Sequence, residues 1–84
     1  MYDLYVSFQS LTQAQIAAGY LRKHGIDGKV VRAPIALAPM GCSFAVKLNR
    51  NAETIVKERL PLSSLSGYRI FRVGWDAGIE EVYD

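Results

Sequence analysis

Cysteine occurs once in this 84-residue chain, and so does histidine. A lone cysteine cannot close an internal disulfide, and Cys42 with His24 falls short of the four ligands of a structural zinc site. No apolar run approaches the ~18 residues needed to span a bilayer, and the N-terminus shows no signal-peptide core, so no membrane contact is expected. Lys and Arg are scattered, the net charge is only +2, and no basic stripe marks a nucleic-acid footprint. The C-terminal stretch from Glu80 to Asp84 is acidic. Cytoplasm is the expected compartment, because a lone thiol stays reduced there.

What is present suits one small globular domain: 50% of the residues are hydrophobic and 21% are charged. Tyr2 to Phe8 reads as a strand, with Leu4, Val6 and Phe8 alternating against Asp3, Tyr5 and Ser7. Ser10 and Gln13 form a capping box that opens a helix. Ala14, Ala17, Ala18 and Leu21 give that helix its apolar face, and Arg22, Lys23 and His24 precede a terminating Gly25. Lys29 to Ala33 reads as a second strand, followed by a loop holding Pro34, Pro39, Gly41 and Cys42. Ser43 to Leu48 reads as a third strand. Asn49 or Asn51 then caps a second helix of roughly ten residues through Ile55, Val56 and Leu60, stopped at Pro61. Leu62 to Gly67 is a loop, and Tyr68 to Val73 a fourth strand ending at Gly74.

The order β-α-β-β-α-β predicts an α+β ferredoxin-like sandwich, a four-stranded antiparallel sheet with two helices on one face. Residues 1–74 complete that unit. Residues 75–84 are an extension of the same domain, suited to a short helix, an edge strand or a dimer contact. A core this small makes a homodimer a natural source of extra stability.

In that topology the turn between strands two and three lies at the same end of the sheet as the start of helix one. Cys42 is therefore expected beside the segment Ser10 to Gln13. Free amides and the positive end of the helix dipole favour a thiolate there. Gly41 permits a left-handed turn that aims amides at the sulfur, while Ser10, Thr12 and Ser43 offer hydroxyl donors. The expectation is an exposed thiol of lowered pKa. A single cysteine is also a common core filler, which is the competing reading. His24 falls at the far end of helix one, roughly 20 Å away by helix rise, which argues against a cysteine hydrolase.

Several of these residues carry a resemblance. Phe8-x-Ser10 stands before an Ala/Leu helix ending in Gly25-Ile26. A proline-containing loop follows, and then the run Cys42-Ser43-Phe44-Ala45-Val46-Lys47. Together they resemble the selenium/sulfur carrier protein-like domain family, small bacterial proteins often met near selenium-metabolism genes. The resemblance spans about residues 2–73. It marks Cys42 as the chalcogen-bearing residue and Ser10 as its companion at the helix start. Two departures touch the loop. Ser43 stands where the family usually has glycine, with Gly41 in front instead, and the stretch from Pro34 to Cys42 is one residue longer.

The resemblance implies a carrier that passes sulfur or selenium as a persulfide or selenopersulfide. Its partners are donor and acceptor proteins, and it has no cofactor and no enzymatic activity of its own. The alternative is a regulatory or protein-interaction domain of the same fold with a structural cysteine. Other features have plain structural readings. Tyr5 offers one half of an RNA-binding platform on the open sheet face, but Ser43, Ala45 and Lys47 lack the other half. Arg69, Arg72 and Lys47 suit a solvated sheet edge. Pro34, Pro39 and Met40 suit an apolar lip beside the cysteine, and Trp75 and Ile79 suit packing or a dimer contact.

Overall fold

The computed structural model describes residues 1–41, 43–76 and 78–82. Cys42, Tyr83 and Asp84, to which the sequence assigned a site and part of an acidic end, lie outside the described residues.

Five strands form one antiparallel sheet in the order β2-β3-β1-β4-β5. They are β1 (Tyr2–Phe8), β2 (Lys29–Arg32), β3 (Phe44–Asn49), β4 (Arg69–Gly74) and β5 (Ile79–Val82). β1 is central, pairing Val6 with Val46 of β3 on one side and with Ile70 of β4 on the other. The expected sheet of four strands is corrected to five. Ile79–Val82 pairs with β4, placing Val82 opposite Ile70, and Val82 thereby extends the apolar row of that face. The hairpin turn is closed by the Gly74 amide donating to the Gly78 carbonyl at 2.7 Å.

Helix α1 (Leu11–Lys23) begins where expected, with Ser10 in extended backbone and its side-chain oxygen accepting the Gln13 amide at 3.1 Å. The predicted apolar stripe is its buried stripe: Ala14, Ala17, Ala18 and Leu21. The second helix differs from expectation. Asn49 accepts the Asn51 amide through its side chain and opens a 3-10 turn, Arg50–Ala52, before α2 (Glu53–Arg59). Pro61 does not stop the helical path. It sits at the start of a further 3-10 turn, Leu60–Leu62, where the amide it lacks is not needed. The path ends at Ser63, whose amide and hydroxyl both donate to the Leu60 carbonyl.

One core lies between the helices and a single face of the sheet. Leu4, Val6 and Phe8 of β1 join Val46, Leu48, Ile70 and Val82, and Ala14, Ala17, Leu21 and Val56 close over them. Alternation along the strands turns Ser7, Ala45 and Phe71 to the other face. They are nonetheless buried, at 2%, 0% and 0% exposure. That face is therefore not the open one that sequence alternation predicted for Ala45. The segment read as a plain loop after Pro34 is a 3-10 helix, Ile35–Met40, and its Leu37 is also fully buried while absent from the helix-side core. The Arg69 guanidinium lies 5.2 Å from the centre of the Phe71 ring and is held by Glu81.

Candidate functional site

Three connections meet at the end of the sheet where β1 finishes. β1 passes through Gln9 and Ser10 into α1, and the connection from α2 returns to β4 at Arg69, opposite Ser7. β2 runs through the 3-10 helix to Gly41 and re-enters the sheet at Phe44, opposite Phe8. The Ser43 amide donates to the Phe8 carbonyl at 3.3 Å, and the Ala33 amide donates to the Ser43 carbonyl at 3.1 Å. The described residues flanking position 42 thus stand at the same end as Ser10.

The donors at this end are partly committed. Gly41 takes the left-handed conformation (φ 77, ψ 13), which glycine adopts at little cost, and its amide closes the 3-10 helix on the Ala38 carbonyl at 3.0 Å. The amide of Ser43 belongs to the sheet. Ser10 accepts the Gln13 amide, and the Ser10 carbonyl accepts the Ala14 amide at 3.2 Å. The amides of Leu11 and Thr12 are the ones this cap leaves over, as the first turn of any helix must. No acidic residue stands in that first turn to offset its partial positive charge. Thr12, Gly41 and Ser43 are exposed and Ser10 is half-buried. Of the apolar lip, Pro34 is half-buried, Pro39 is exposed, and the Met40 side chain lies outside the description.

The connections at this end carry no charged side chain of their own, although Arg32, Arg59 and Arg69 stand immediately beside them. Ser7 to Gln13, Ala33 to Phe44 and Leu60 to Tyr68 contain no Asp, Glu, Lys, Arg or His, in a chain that is 21% charged. The opposite end carries a network that sequence reading missed. Arg72 of β4 donates through Nε to Glu53 at 2.8 Å, and through its terminal nitrogens to Glu53 and Glu80. The Tyr2 hydroxyl donates to Glu53 at 3.0 Å, and the Tyr2 ring lies 5.7 Å from the guanidinium. Hydrogen bonding from Arg72 holds the Glu53 carboxyl below its ordinary range, against the opposing effect of burial and with help from Tyr2. Glu53 and Glu80 in turn push Arg72 further above its ordinary value. Nothing in the local sequence pairs residues separated by 51 and 19 positions. The register that sets Arg72 opposite both Leu4 and Glu80 does so.

Among the described residues, no group of three His, Cys, Asp or Glu side chains could hold a metal ion. No helix among them is long and apolar enough to cross a membrane.

Fold and site define a small α+β domain whose distinctive end is a set of uncharged connections around a capped helix start. Residues 3–70 match the family described as Putative Se/S carrier protein-like, and the chain belongs to that family. No curated protein and no solved structure matches the chain.

Proposed function

We propose that the chain is a sulfur or selenium carrier whose working residue is Cys42, acting with donor and acceptor proteins. Family membership supports the carrier role. The observation that carries the choice of residue is the convergence of Gly41, Ser43 and Ser10 at one end of the sheet, fixed by the Ser43 to Phe8 hydrogen bond. Cys42 itself lies outside the described residues, and its nearness to the α1 start is part of the proposal, supported by its described neighbours Gly41 and Ser43. The Leu11 and Thr12 amides and the hydroxyls of Ser10, Thr12 and Ser43 are the groups proposed to favour its thiolate. We also propose a ferredoxin-like arrangement for residues 1–74, supported by the strand order β2-β3-β1-β4 and by both helices lying on one face, with β5 as an added edge.

The transfer is an exchange without net oxidation. The Cys42 thiolate attacks the outer sulfur of a donor persulfide, R–S–SH. The donor S–S bond breaks as the new one forms, giving Cys42–S–SH and R–S⁻. Selenium follows the same course with R–S–SeH. Discharge to an acceptor thiolate reverses the roles. No general base is required, since the attacking group is already ionised and the leaving thiolate carries the charge away.

Incubation with polysulfide followed by intact-mass measurement tests this directly. The expected product is an adduct of about 32 Da for sulfur, or about 80 Da with a selenium donor, the mass of one atom of each element. It disappears on reduction and never forms in Cys42→Ala. An unmodified wild-type protein would leave the interaction-domain alternative, with a structural cysteine, in its place.

A further inference from the structure

We infer that the free edge of β2 binds an acidic, extended segment of a partner protein as an added strand. The inference goes beyond the carrier reading and does not depend on it. β2 ends the sheet and is paired with β3 on one side only. The Ala33 amide donates to the Ser43 carbonyl at 3.1 Å. Bonded and non-bonded pairs alternate in an antiparallel ladder, so Lys29 and Val31 share the bonds to β3. The N–H and C=O groups of Val30 and Arg32 then point off the edge. A row of such groups is a template for another strand.

The side chains of this edge define the occupant. Lys29 lies directly opposite Lys47, and both are exposed. Like charges set across from one another destabilise a sheet, and an anion laid beside them removes that cost. Asp3 stands 3.9 Å from Lys47, and exposed Asp27 precedes the strand. Among the described residues no carboxylate pairs with Lys29 or Arg32. Alternation puts Arg32 on the helix side with Val30, and Lys29 on the other face with Val31. A strand that meets all four reads acidic, apolar, apolar, acidic. The far edge of the sheet already shows this match: β5, Ile-Glu-Glu-Val, pairs with β4, setting Glu80 on Arg72 and Glu81 on Arg69.

Other occupants fit less well. Nucleic acid or a lipid headgroup would meet the three cations, but phosphodiester oxygens only accept, leaving the outward Val30 and Arg32 carbonyls unmatched. Another backbone supplies donors and acceptors together. A second copy of β2, paired two-fold about Val30 or Val31, sets Lys29 or Arg32 diagonal to its own counterpart and brings no anion. In a second copy's β5 the glutamates are adjacent and face opposite sides. No register sets one against Lys29 and the other against Arg32, which are three positions apart.

Amide hydrogen exchange on the full chain tests the inference, with end-capped synthetic peptides as probes. The acidic probe is Thr-Glu-Val-Val-Glu-Thr, and the control is Thr-Lys-Val-Val-Lys-Thr. With the acidic probe at millimolar concentration, the Val30 and Arg32 amides are expected to exchange at least about threefold more slowly, the protection reached when a ligand exceeds twice its Kd. The Val31 amide, already bonded to β3, and all amides with the control are expected to be unchanged. The double variant Lys29→Glu with Arg32→Glu is expected to reverse the preference, since both side chains are exposed. N-methylation of alternate probe residues separates backbone pairing from charge. One set, whose N–H groups face β2, is expected to abolish protection, and the other to leave it. Absent protection, equal protection by both probes, or equal tolerance of methylation in both sets would each overturn the added strand. Slower exchange in the protein alone as its concentration rises would assign the edge to a second copy instead. Greater protection by a single-stranded oligonucleotide than by the acidic probe would overturn it in favour of nucleic acid.

Discussion

The two ends of this molecule are built on opposite principles. At the end where β1 finishes, the connections carry no charge, and order comes from a helix cap, a left-handed glycine and a buried leucine. At the end where β1 begins, order comes from an arginine shared between Glu53 and Glu80, with Tyr2 against both ring and carboxylate. An ion network fixes geometry strongly but leaves fields that bias any approaching charge. Connections held by caps and apolar burial contribute only the partial charges of their amides, with Arg32, Arg59 and Arg69 at their borders. The second kind of end suits the thiolate proposed for Cys42, and the first suits a rigid anchor for α2.

The largest effect expected from breaking this contrast is in Leu37. It is fully buried, yet it belongs to the 3-10 helix beside the candidate site and not to the helix-side core. Leu37→Ala should cost about 2–5 kcal/mol of unfolding free energy, as other large-to-small core changes do. Urea denaturation against Ile35→Ala, a change at an exposed neighbour, gives the comparison. Equal midpoints for the two variants would mean that no second core supports this end.

That leucine also shows where sequence reading ran out. Strands β1, β3 and β4 and the whole of α1 were legible, because alternation and a capping box are local signals and these elements obey them. Ala45 looked solvent-facing because its partners in alternation were Ser43 and Lys47. Its burial depends on what covers the second sheet face, which alternation does not report. Pro34 and Pro39 suggested a loop, whereas a short 3-10 helix tolerates proline because few of its amides are needed. β5 was legible only as one of three options for residues 75–84, an edge strand, because Ile79–Val82 places two glutamates at its centre. Those glutamates are satisfied by Arg69 and Arg72, across a register that only the folded sheet defines. Ser10 was identified as the helix cap, but the commitment of the Gly41 and Ser43 amides elsewhere could not be read from a motif.

The next effect in size belongs to the charged end. Gly28 enters β2 with its α-carbon hard against β3. A methyl group there would stand 2.5 Å from Val46 Cγ1 and 2.6 Å from Leu48 Cδ2. Both are tips of core side chains, so Gly28→Ala forces repacking, with an expected cost of about 1–3 kcal/mol. Thermal melting reads the loss. Polysulfide loading of Cys42 should be unaffected, since the disturbance lies at the other end of β2 from the 3-10 helix. An unchanged melting temperature would show that β2 shifts freely at this point.

Ser10→Ala comes third and sharpens the contrast from the uncharged side. Loss of the cap should lower stability by about 0.5–2 kcal/mol, the usual range for removing a serine at this position. It frees the Gln13 amide at the same stroke. Measuring the alkylation rate of Cys42 beside stability separates two roles. A slower reaction at pH 7 in Ser10→Ala but not in Ser10→Asn, which keeps the cap, shows that the thiol depends on an ordered helix start. Equal rates in all three proteins would confine Ser10 to folding.

The smallest effect is expected at Glu53, and its signature is a pH dependence. Its native carboxyl is held below the ordinary value of 4.5, chiefly by Arg72. A depressed acid contributes stability that is fully present above the unfolded value and is lost as pH falls through the lower native one. Glu53→Gln keeps the shape and a hydrogen-bonding oxygen but has no such titration. Arg72 is about one-third exposed and retains Glu80 as a partner, so the neutral-pH cost is expected to be only about 0.2–1 kcal/mol and to shrink with added salt. Unfolding curves from pH 7 down to pH 3 should converge below 4.5, as the wild-type protein loses what the variant never had. Parallel curves across that range would mean that α2 is anchored by packing alone, and the two ends would then differ less than their charges suggest.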